Sequence, residues 1–456
     1  MSRRSIFSLV LLAVIICGIV IRSTLFPSSP TKPITSQTDG VYYSAEGEWS
    51  EFYANRAPPG TGWVHLPRPC DRPAFASGVD PFLLGFVQPH VCGECHPDKY
   101  EGFEKTSHFR TSSAATLETV LGDFTSGKHR LDTKDPNLYF EMTAEEDGLF
   151  QRVVVKQPEG QQYEHRERFD IVTGSGNHGQ TYLYWAGDQL CQLPISYFTE
   201  SGGWINSPGH HRDGTADFAR GIGERCLACH TTYFATDPLS FNRHDPTNYI
   251  LGVTCVRCHG PGWAHVQYHR THETDVEARY IVNPGDLPQD RANEVCAQCH
   301  SGVGELLQPA FSYRPGEPLD QFLALDMSTA NPKNDDPHAA NQLLRLMKSR
   351  CFKESKEMTC GTCHDPHQNE RGNLKLFAER CVACHEEEAC HLASEYGSRI
   401  RHWCVECHMP SRRDAQGAME TTSGVLTPLL RDHFIRGWPD ATERVIGEMQ
   451  DDPHLK

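Results

Sequence analysis

Hydrophobic and polar positions alternate most clearly between residues 137 and 200. Short runs rich in Val, Ile, Phe, Tyr and Thr are separated there by the segments EEDG, PEG, GSGNHG and AGD. Such runs between Gly-rich turns are typical of antiparallel strands. The pattern predicts a small antiparallel β element, inserted in the chain, with strands at 137–142, 150–156, 169–173, 181–185 and 189–198.

A different pattern follows from about residue 220 to residue 410. Short helical stretches, such as Asn341–Arg350, lie between clusters of Cys and His, and a further helix is predicted near 440–450. The predicted fold class is therefore mainly α with extensive loops, plus the β insertion. The predicted divisions of the chain body are an N-terminal wrap at 41–136, the β insertion at 137–200, a large Cys/His region at 201–440 and a tail at 441–456.

The N-terminal pattern predicts export. Arg3 and Arg4 precede an uncharged apolar run from Ile6 to Ile21, and no small-residue cleavage site follows it. We therefore favour an uncleaved inner-membrane anchor at residues 5–26 over a removed signal peptide, both within a targeting segment at 1–26. Positive charge stays on the cytoplasmic side, so the body is expected on the periplasmic side. Residues 27–40, rich in Pro, Ser and Thr, are predicted to form a linker.

Composition points to a bulky cofactor and away from nucleic acid. Only 38% of the 456 residues are hydrophobic, and the chain has 37 Gly and 30 Pro, so ordinary side chains supply a thin core. A large apolar cofactor would fill the remaining volume. The formal net charge of -16 argues against a nucleic-acid partner, which calls for a basic surface.

The cysteines carry the strongest chemical signal. Fourteen of the 19 form seven copies of Cys-x-x-Cys-His. Two thiols three residues apart can form thioethers with the two vinyl groups of one porphyrin, and the adjacent His can bind its iron. We number the copies as sites 1 to 7 in chain order: Cys92-Cys95-His96, Cys226-Cys229-His230, Cys255-Cys258-His259, Cys296-Cys299-His300, Cys360-Cys363-His364, Cys381-Cys384-His385 and Cys404-Cys407-His408.

Other uses of Cys-x-x-Cys fit these motifs poorly. Zinc sites pair such motifs without requiring His after each one, and a thioredoxin-like motif occurs once, near a βαβ pattern. Iron–sulfur clusters use other spacings. The sequence therefore predicts seven covalently bound haem c groups. Several sites begin only 21 to 41 residues apart, so neighbouring haems are expected to pack closely.

Eighteen further histidines could supply the second axial ligand of each iron. The surplus suits coordination by two histidines, and the best-placed candidates are His108, His265, His367 and His433. His367 is expected to serve a neighbouring haem, because His364 occupies the opposite face of its own. A second group of candidates comprises His178, His210, His211, His269, His338, His391 and His402.

Four cysteines outside the motifs and the N-terminal segment are left over: Cys70, Cys191, Cys351 and Cys390. In an oxidising compartment they permit three disulfide pairings, which the sequence leaves open. Cys390 and His391 also imitate half of a haem motif. A free or disulfide-bonded Cys390 is favoured over a single-thioether haem there.

Several segments resemble the c-554-type multihaem cytochromes, relatives of hydroxylamine oxidoreductase and the octahaem reductases. They are CGECHPDKYEGFEKTSH, CVRCHGPGWAH, CGTCHDPH and CVECHMP followed by RDHFIRGWP, and the resemblance covers roughly residues 90–440. It implies stacked haem pairs, distal ligands at His108, His265, His367 and His433, and a periplasmic redox role. The Cys-x-x-Cys-Lys motif of pentahaem nitrite reductases is missing, and no Tyr maps onto the haem cross-link of hydroxylamine oxidoreductase.

The predicted function is electron relay between a quinol-linked membrane donor and a periplasmic acceptor. The alternative is a multihaem oxidoreductase that acts on a small nitrogen or sulfur compound at one open iron. A third possibility is a structural role in which haem surfaces of successive subunits stack. The number of six-coordinate irons separates the first two, and size in solution separates the third. The sequence predicts no oligomeric state.

Overall fold

The computed structural model describes residues 41–44, 63–66, 85–210, 216–302, 304–325, 336–338, 340–386, 389–415, 417–421 and 424–451. The predicted anchor and linker, together with Cys70 and His211, lie outside this part of the chain. Within it, no helix is both long enough and apolar enough to cross a bilayer.

All the strand pairings within named sheets are antiparallel. In chain order the strands are β1 Val41–Ser44, β2 Trp63–Leu66, β3 Ser112–Ala114, β4 Arg130–Asp132, β5 Leu138–Glu145, β6 Gly148–Lys156, β7 Gln162–Arg168, β8 Ile171–Thr173, β9 Gly179–Ala186, β10 Gln189–Gln192, β11 Ile195–Phe198, β12 Gly203–Asn206, β13 Thr231–Thr236, β14 His244–Leu251, β15 Glu305–Leu306, β16 Leu323–Ala324, β17 Ser411–Arg413, β18 Met419–Thr421, β19 Gly424–Leu426 and β20 Leu429–Arg431.

Two larger sheets occupy the region between sites 1 and 2. A four-stranded sheet has the order β4-β5-β6-β7, and a six-stranded sheet has the order β12-β11-β9-β8-β3 with β10 added beside β9. The strands of 137–200 supply most of both sheets, as the alternating pattern predicted. The sheets also recruit β3, β4 and β12 from outside that range, so the β structure extends beyond the predicted insertion.

Alternation along β9 explains why the six-stranded sheet is buried on both faces. Tyr182 and Tyr184 pack with the four-stranded sheet around Trp204, whereas Leu183 between them faces the opposite way. On that second face, Leu183 belongs to a cluster with Leu227 of site 2 and other residues. Successive side chains of a strand point to opposite faces, so one strand serves two cores. The β structure is therefore packed directly against a haem-attachment motif.

The helices are short, and most attachment motifs lie within them or at their ends. They are α1 Pro89–Gly93, α2 Pro97–Phe103, α3 Glu224–His230, α4 Val256–His259, α5 Trp263–Thr271, α6 Gln289–His300, α7 Gln342–Leu346, α8 Arg350–Glu354, α9 Cys360–Cys363, α10 Leu374–Val382, α11 Ala393–Tyr396, α12 Cys404–His408 and α13 Pro439–Asp451. Single 3-10 turns span Phe109–Thr111, Pro158–Gly160, Pro284–Asp286 and Leu319–Gln321, and a longer one spans Gly397–Trp403.

The prediction of a mainly α fold is wrong. Helix and strand contribute comparably, at about 31% and 25%. Strand pairs also occur among the motifs themselves, where β13 pairs with β14, β15 with β16, β17 with β20 and β18 with β19. Several of these strands have only two or three residues, which is too short for alternation to be visible in the sequence. The predicted domain boundaries remain predictions.

Candidate functional site: the haem-attachment motifs

The motifs adopt the local shape that haem attachment needs. In sites 1, 3, 5 and 6 the His backbone N–H donates to the carbonyl of the first Cys, at 2.9 to 3.0 Å, which closes one helical turn. Residues three and four apart lie on one face of such a turn. The two sulfurs and the imidazole are therefore presented to the same side.

Four motif histidines each face a second imidazole from another part of the chain. The ring centres lie 6.3 Å apart for His96 and His265, 6.1 Å for His300 and His108, 6.0 Å for His259 and His367, and 6.2 Å for His364 and His433. The angles between the ring planes, in the same order, are 14°, 76°, 28° and 28°. The structure thus brings each of the four best-placed distal candidates opposite a motif His.

These separations fit a haem iron between the rings. A metal–imidazole bond measures roughly 2 Å and Nε2 lies about 1.1 Å from its ring centre, so a shared metal separates ring centres by about 6 Å. Four independent pairs fall at this value, at sites 1, 3, 4 and 5. The donor set and its spacing therefore fit the predicted cofactor. Axial ligation by His108, His265, His367 and His433 remains a prediction that this geometry supports.

Hydrogen bonds to Nδ1 orient many of these rings. The Nδ1–H groups of His259, His265, His408 and His433 donate to the carbonyls of Val282, Arg279, Arg436 and Arg431, at 2.8 to 3.1 Å. His367 donates to a carboxylate oxygen of Asp365 at 3.1 Å, and His300 to Oε1 of Gln342 at 3.1 Å. A partner on Nδ1 leaves the Nε2 lone pair free for a metal and fixes the direction in which it points.

Burial lowers the pKa of several ligand candidates and so favours their neutral form. It lowers the pKa of His108 to about 4, with the nearby His300 and His364 adding to the effect. It also lowers the pKa of His433 to about 4. The pKa values of His230, His259, His265 and His300 are lowered as well, first by burial. Neutral imidazole is the form that binds a metal, so these rings need not lose a proton at neutral pH.

Cysteines of different motifs lie close together and show which sites are neighbours. Thiol hydrogen bonds join Cys92 to Cys255, Cys229 to Cys299 and Cys296 to Cys360. Three further pairs lie close enough for the second thiol to raise the pKa of the first: Cys258 and Cys296, Cys363 and Cys384, and Cys381 and Cys404. The sites accordingly form a connected series, 1-3-4-5-6-7, with site 2 attached beside site 4.

Sites 2, 6 and 7 differ from the other four. Within the part of the chain that the structure describes, no ring contact joins His230, His385 or His408 to a second imidazole. Nδ1 of His230 instead donates to the hydroxyl of Thr111 at 3.0 Å, and the His230 carbonyl accepts from Ser112 at 2.7 Å. Site 2 is therefore anchored by the segment that follows His108.

The second group of distal candidates does not form such pairs in the described part of the chain. His269 lies 4.5 Å from His265, too close for a shared metal, and His338 accepts from the N–H of Ala340. Nε2 of His178 lies 3.4 Å from Nη2 of Arg371. His391 and His402 are exposed, and His210 is buried. His391 does lie near site 7, where it helps to lower the pKa of His408 after burial.

The leftover cysteines form no disulfide among the residues that the structure places. Cys191 is buried in β10, and burial raises the pKa of its thiol. Cys351 lies near Cys363 and Cys384, and Cys390 lies near Cys404 and Cys407. Both are thus neighbours of attachment motifs rather than of each other.

Sequence reasoning missed the residues that lie between the motif cysteines. Arg257 in site 3 and Gln298 in site 4 are buried, and with Arg225 beside site 2 they line a small cavity of about 30 Å³. The motif pattern treats these positions as arbitrary. The sequence carried no signal for them, because the burial of Arg257 results from its contacts with Ala228 and Gln298 in other motifs.

Comparison with known proteins supports this picture. The family model "Cytochrome c554 and c-prime" matches residues 91–137 and 209–260, which contain sites 1, 2 and 3. Dissimilatory sulfite reductase MccA of Wolinella succinogenes is 20% identical over 411 residues, covering 71% of this chain and 50% of that protein. The chain spans about half the length of this curated relative. The crystal structure of the outer cell wall cytochrome OcwA is 15% identical with a TM-score of 0.48, covering 79% of this chain and 81% of that one.

The resemblance predicted from the motifs is thereby confirmed. The family match falls on the first three attachment motifs and on the segment carrying His108. Sites 1 and 3 and the His108 segment were among the residues that suggested the resemblance. Haem c is therefore a cofactor of this protein, although its number of seven remains a prediction. The chain is a multihaem c-type cytochrome that resembles the c554-type family.

Proposed function

We propose that this protein relays electrons through seven covalently bound haems. The observation that carries the proposal is the set of four imidazole pairs, each with ring centres 6.0 to 6.3 Å apart. A haem held there would supply a one-electron iron couple, and the two imidazoles of each pair would close both faces of its iron to substrates. Four closed irons suit transfer of electrons rather than binding of a molecule.

The arrangement of the motifs supports the same function. Thiol contacts join sites 1 and 3, sites 2 and 4, and sites 4 and 5, so haems attached there would lie side by side. His367, three residues after His364 of site 5, faces His259 of site 3. A continuous series of closely spaced redox centres is what a relay requires.

The proposed setting is the periplasmic side of an inner membrane. The basic n-region and the apolar run at residues 5–26 support export and anchoring there. The proposed donor is a quinol-linked membrane protein and the proposed acceptor a periplasmic redox protein. The net charge of -16 favours partners with basic docking surfaces.

One observation favours a second function, reduction of a small nitrogen or sulfur compound at site 2. His230 faces no second imidazole within the described residues, so we take site 2 as the candidate for the open iron of this alternative. The relative named dissimilatory sulfite reductase MccA matches 71% of this chain. Relay remains the preferred function because four of the seven sites have the closed geometry.

Coordination and turnover distinguish the two functions. Intact mass of the purified protein should equal the processed chain plus seven haems. Low-spin signals from at least four haems are expected, and protein reduced with a sulfur-free reductant should pass electrons to an oxidised cytochrome but not to sulfite, nitrite or hydroxylamine. The same reduced protein without acceptor is the control. Steady consumption of one of these compounds, together with a haem that binds carbon monoxide, would replace relay by catalysis.

A further inference from the structure

Residues between the cysteines of three motifs bind one another. Nη2 of Arg257 in site 3 donates to the carbonyl of Ala228 in site 2 at 2.9 Å. The carbonyl of Arg257 accepts from Nε2 of Gln298 in site 4 at 3.3 Å. Nη1 of Arg225 lies 2.9 Å from Sγ of Cys229, one of the two haem-attaching sulfurs of site 2. Two guanidinium groups therefore contact site 2 directly.

Neither guanidinium meets a carboxylate among the residues that the structure describes. Arg257 is 9% exposed, lies over the ring of Phe311 at 5.4 Å, and leaves its buried Nε without a hydrogen-bond partner. Arg225 donates to the carbonyls of Gly304 and Gly302 at 3.1 and 3.2 Å. Burying a cation without a counter-charge is costly, and no carboxylate of the described residues neutralises these two positive charges.

The positive charges of Arg225 and Arg257 lie close to the haem-attaching sulfurs of site 2. Nη1 of Arg225 contacts Sγ of Cys229, and Nη2 of Arg257 reaches the Ala228 carbonyl, so both charges lie beside the residues that would hold the haem of site 2. Positive charge stabilises an added electron, and it does so most strongly where water is excluded. Reduction of haem iron adds one electron and breaks no bond, so a nearby fixed cation raises the reduction potential.

Hydrogen bonds to Nδ1 of the imidazoles separate site 2 from site 3 in the same direction. Nδ1 of His230 meets a neutral hydroxyl, that of Thr111, whereas Nδ1 of His367 at site 3 meets the carboxylate of Asp365. A carboxylate partner makes the imidazole a stronger electron donor and favours the oxidised iron. The ligand at site 2 lacks this effect.

We propose that Arg225 and Arg257 make the haem at site 2 the highest-potential centre of this protein, so that electrons from the connected series collect there. The inference rests on the proposed haem relay. It adds the direction of electron flow, which runs from the connected series of sites 1, 3, 4, 5, 6 and 7 through site 4 to site 2. It holds whether site 2 passes electrons to a partner protein or to a bound molecule.

Spectroelectrochemical titration of Arg225→Gln and Arg257→Gln tests this proposal. Each change removes the charge and keeps a hydrogen-bonding side chain, so the highest-potential component should move to lower potential. Arg257→Lys keeps the charge and should retain most of the wild-type value, which a purely structural role would not predict. Arg166→Gln, at an exposed arginine paired with Glu145 in the β structure, is the matched control and should leave every component in place.

Two outcomes would overturn the proposal. One is an unchanged highest-potential component in both Gln variants at full haem content by mass. The other is an equal shift in Arg257→Lys and Arg257→Gln. If Arg257→Gln loses haem, Arg225→Gln carries the test, because its guanidinium is only partly buried. Low-spin haem signals stay in place in every variant that keeps its full haem content, so relay itself is judged separately.

Discussion

Asp432 accepts hydrogen bonds from Nε and Nη2 of Arg345 at 2.9 and 2.5 Å, and both side chains are almost fully buried. The carboxylate also accepts from Arg412 at 2.9 Å and from the backbone N–H of Phe434. These bonds hold the segment that presents His433 to His364. The same short helix that carries Arg345, α7, carries Gln342, the Nδ1 partner of His300. One helix thus positions ligand candidates of two sites.

Replacing Asp432 by Asn should strongly destabilise the fold. The change leaves Arg345 buried without its counter-charge, and breaking such a pair costs about 3–5 kcal/mol. The free energy of unfolding from a guanidinium titration measures the loss. Glu354→Gln, which breaks the exposed pair with Arg350, is the control and should leave that free energy unchanged. Equal effects of the two substitutions would contradict the structural role of the buried pair.

Replacing His265 by Ala should open the iron at site 1. His265 faces the motif histidine His96, and the Gly260-Pro261-Gly262 turn after α4 lets α5 present it there. The reduced variant should show a new high-spin haem that binds carbon monoxide, while the other haems stay as they are. His272→Ala, on the same segment but exposed, is the control.

His269 needs a separate test, because its ring lies 4.5 Å from that of His265 and could take over the position. The double variant His265→Ala/His269→Ala removes both rings. Absence of a high-spin signal even in this variant would show that His265 is not an axial ligand.

Site 4 should be spectroscopically distinct from sites 1, 3 and 5. The rings of His108 and His300 lie at 76°, whereas the other pairs lie at 14° and 28°. Crossed ligand planes bring two iron d orbitals close in energy and give a highly anisotropic low-spin electron paramagnetic resonance signal. His108→Ala should remove one signal of this kind. His178→Ala, which alters a histidine outside the pairs, should preserve it; loss of a signal from near-parallel rings instead would contradict the assignment.

Asp365→Asn should raise the reduction potential at site 3. The carboxylate accepts from Nδ1 of His367 at 3.1 Å, and a neutral amide would draw less proton density from the imidazole. The expected shift is opposite in sign to that of the arginine variants at site 2. Asp290→Asn, at a largely exposed carboxylate, should leave all components unchanged. A fall in potential, or no change with intact haem content, would show that Asp365 does not tune this iron.

Local chemistry could be predicted from the sequence alone. A Cys-x-x-Cys-His motif holds its whole attachment function within five residues, so no distant contact is needed to recognise it. The alternating runs between 137 and 200 likewise predicted strands, because a half-buried strand has period two. The same argument failed for β15 and β16, which have two residues each and no visible period.

Tertiary structure alone decided which imidazoles face one another and which charges lie inside. His96 and His265 are 169 positions apart in the chain. The sequence does not show which of the surplus histidines lies opposite a given motif histidine. Arg257 occupies a position that the motif leaves free, and only packing against Ala228 and Gln298 makes it a buried cation. Composition and local spacing determine that haem is attached. Long-range packing determines its ligands and its surrounding field, because both depend on atoms brought together from distant parts of the chain.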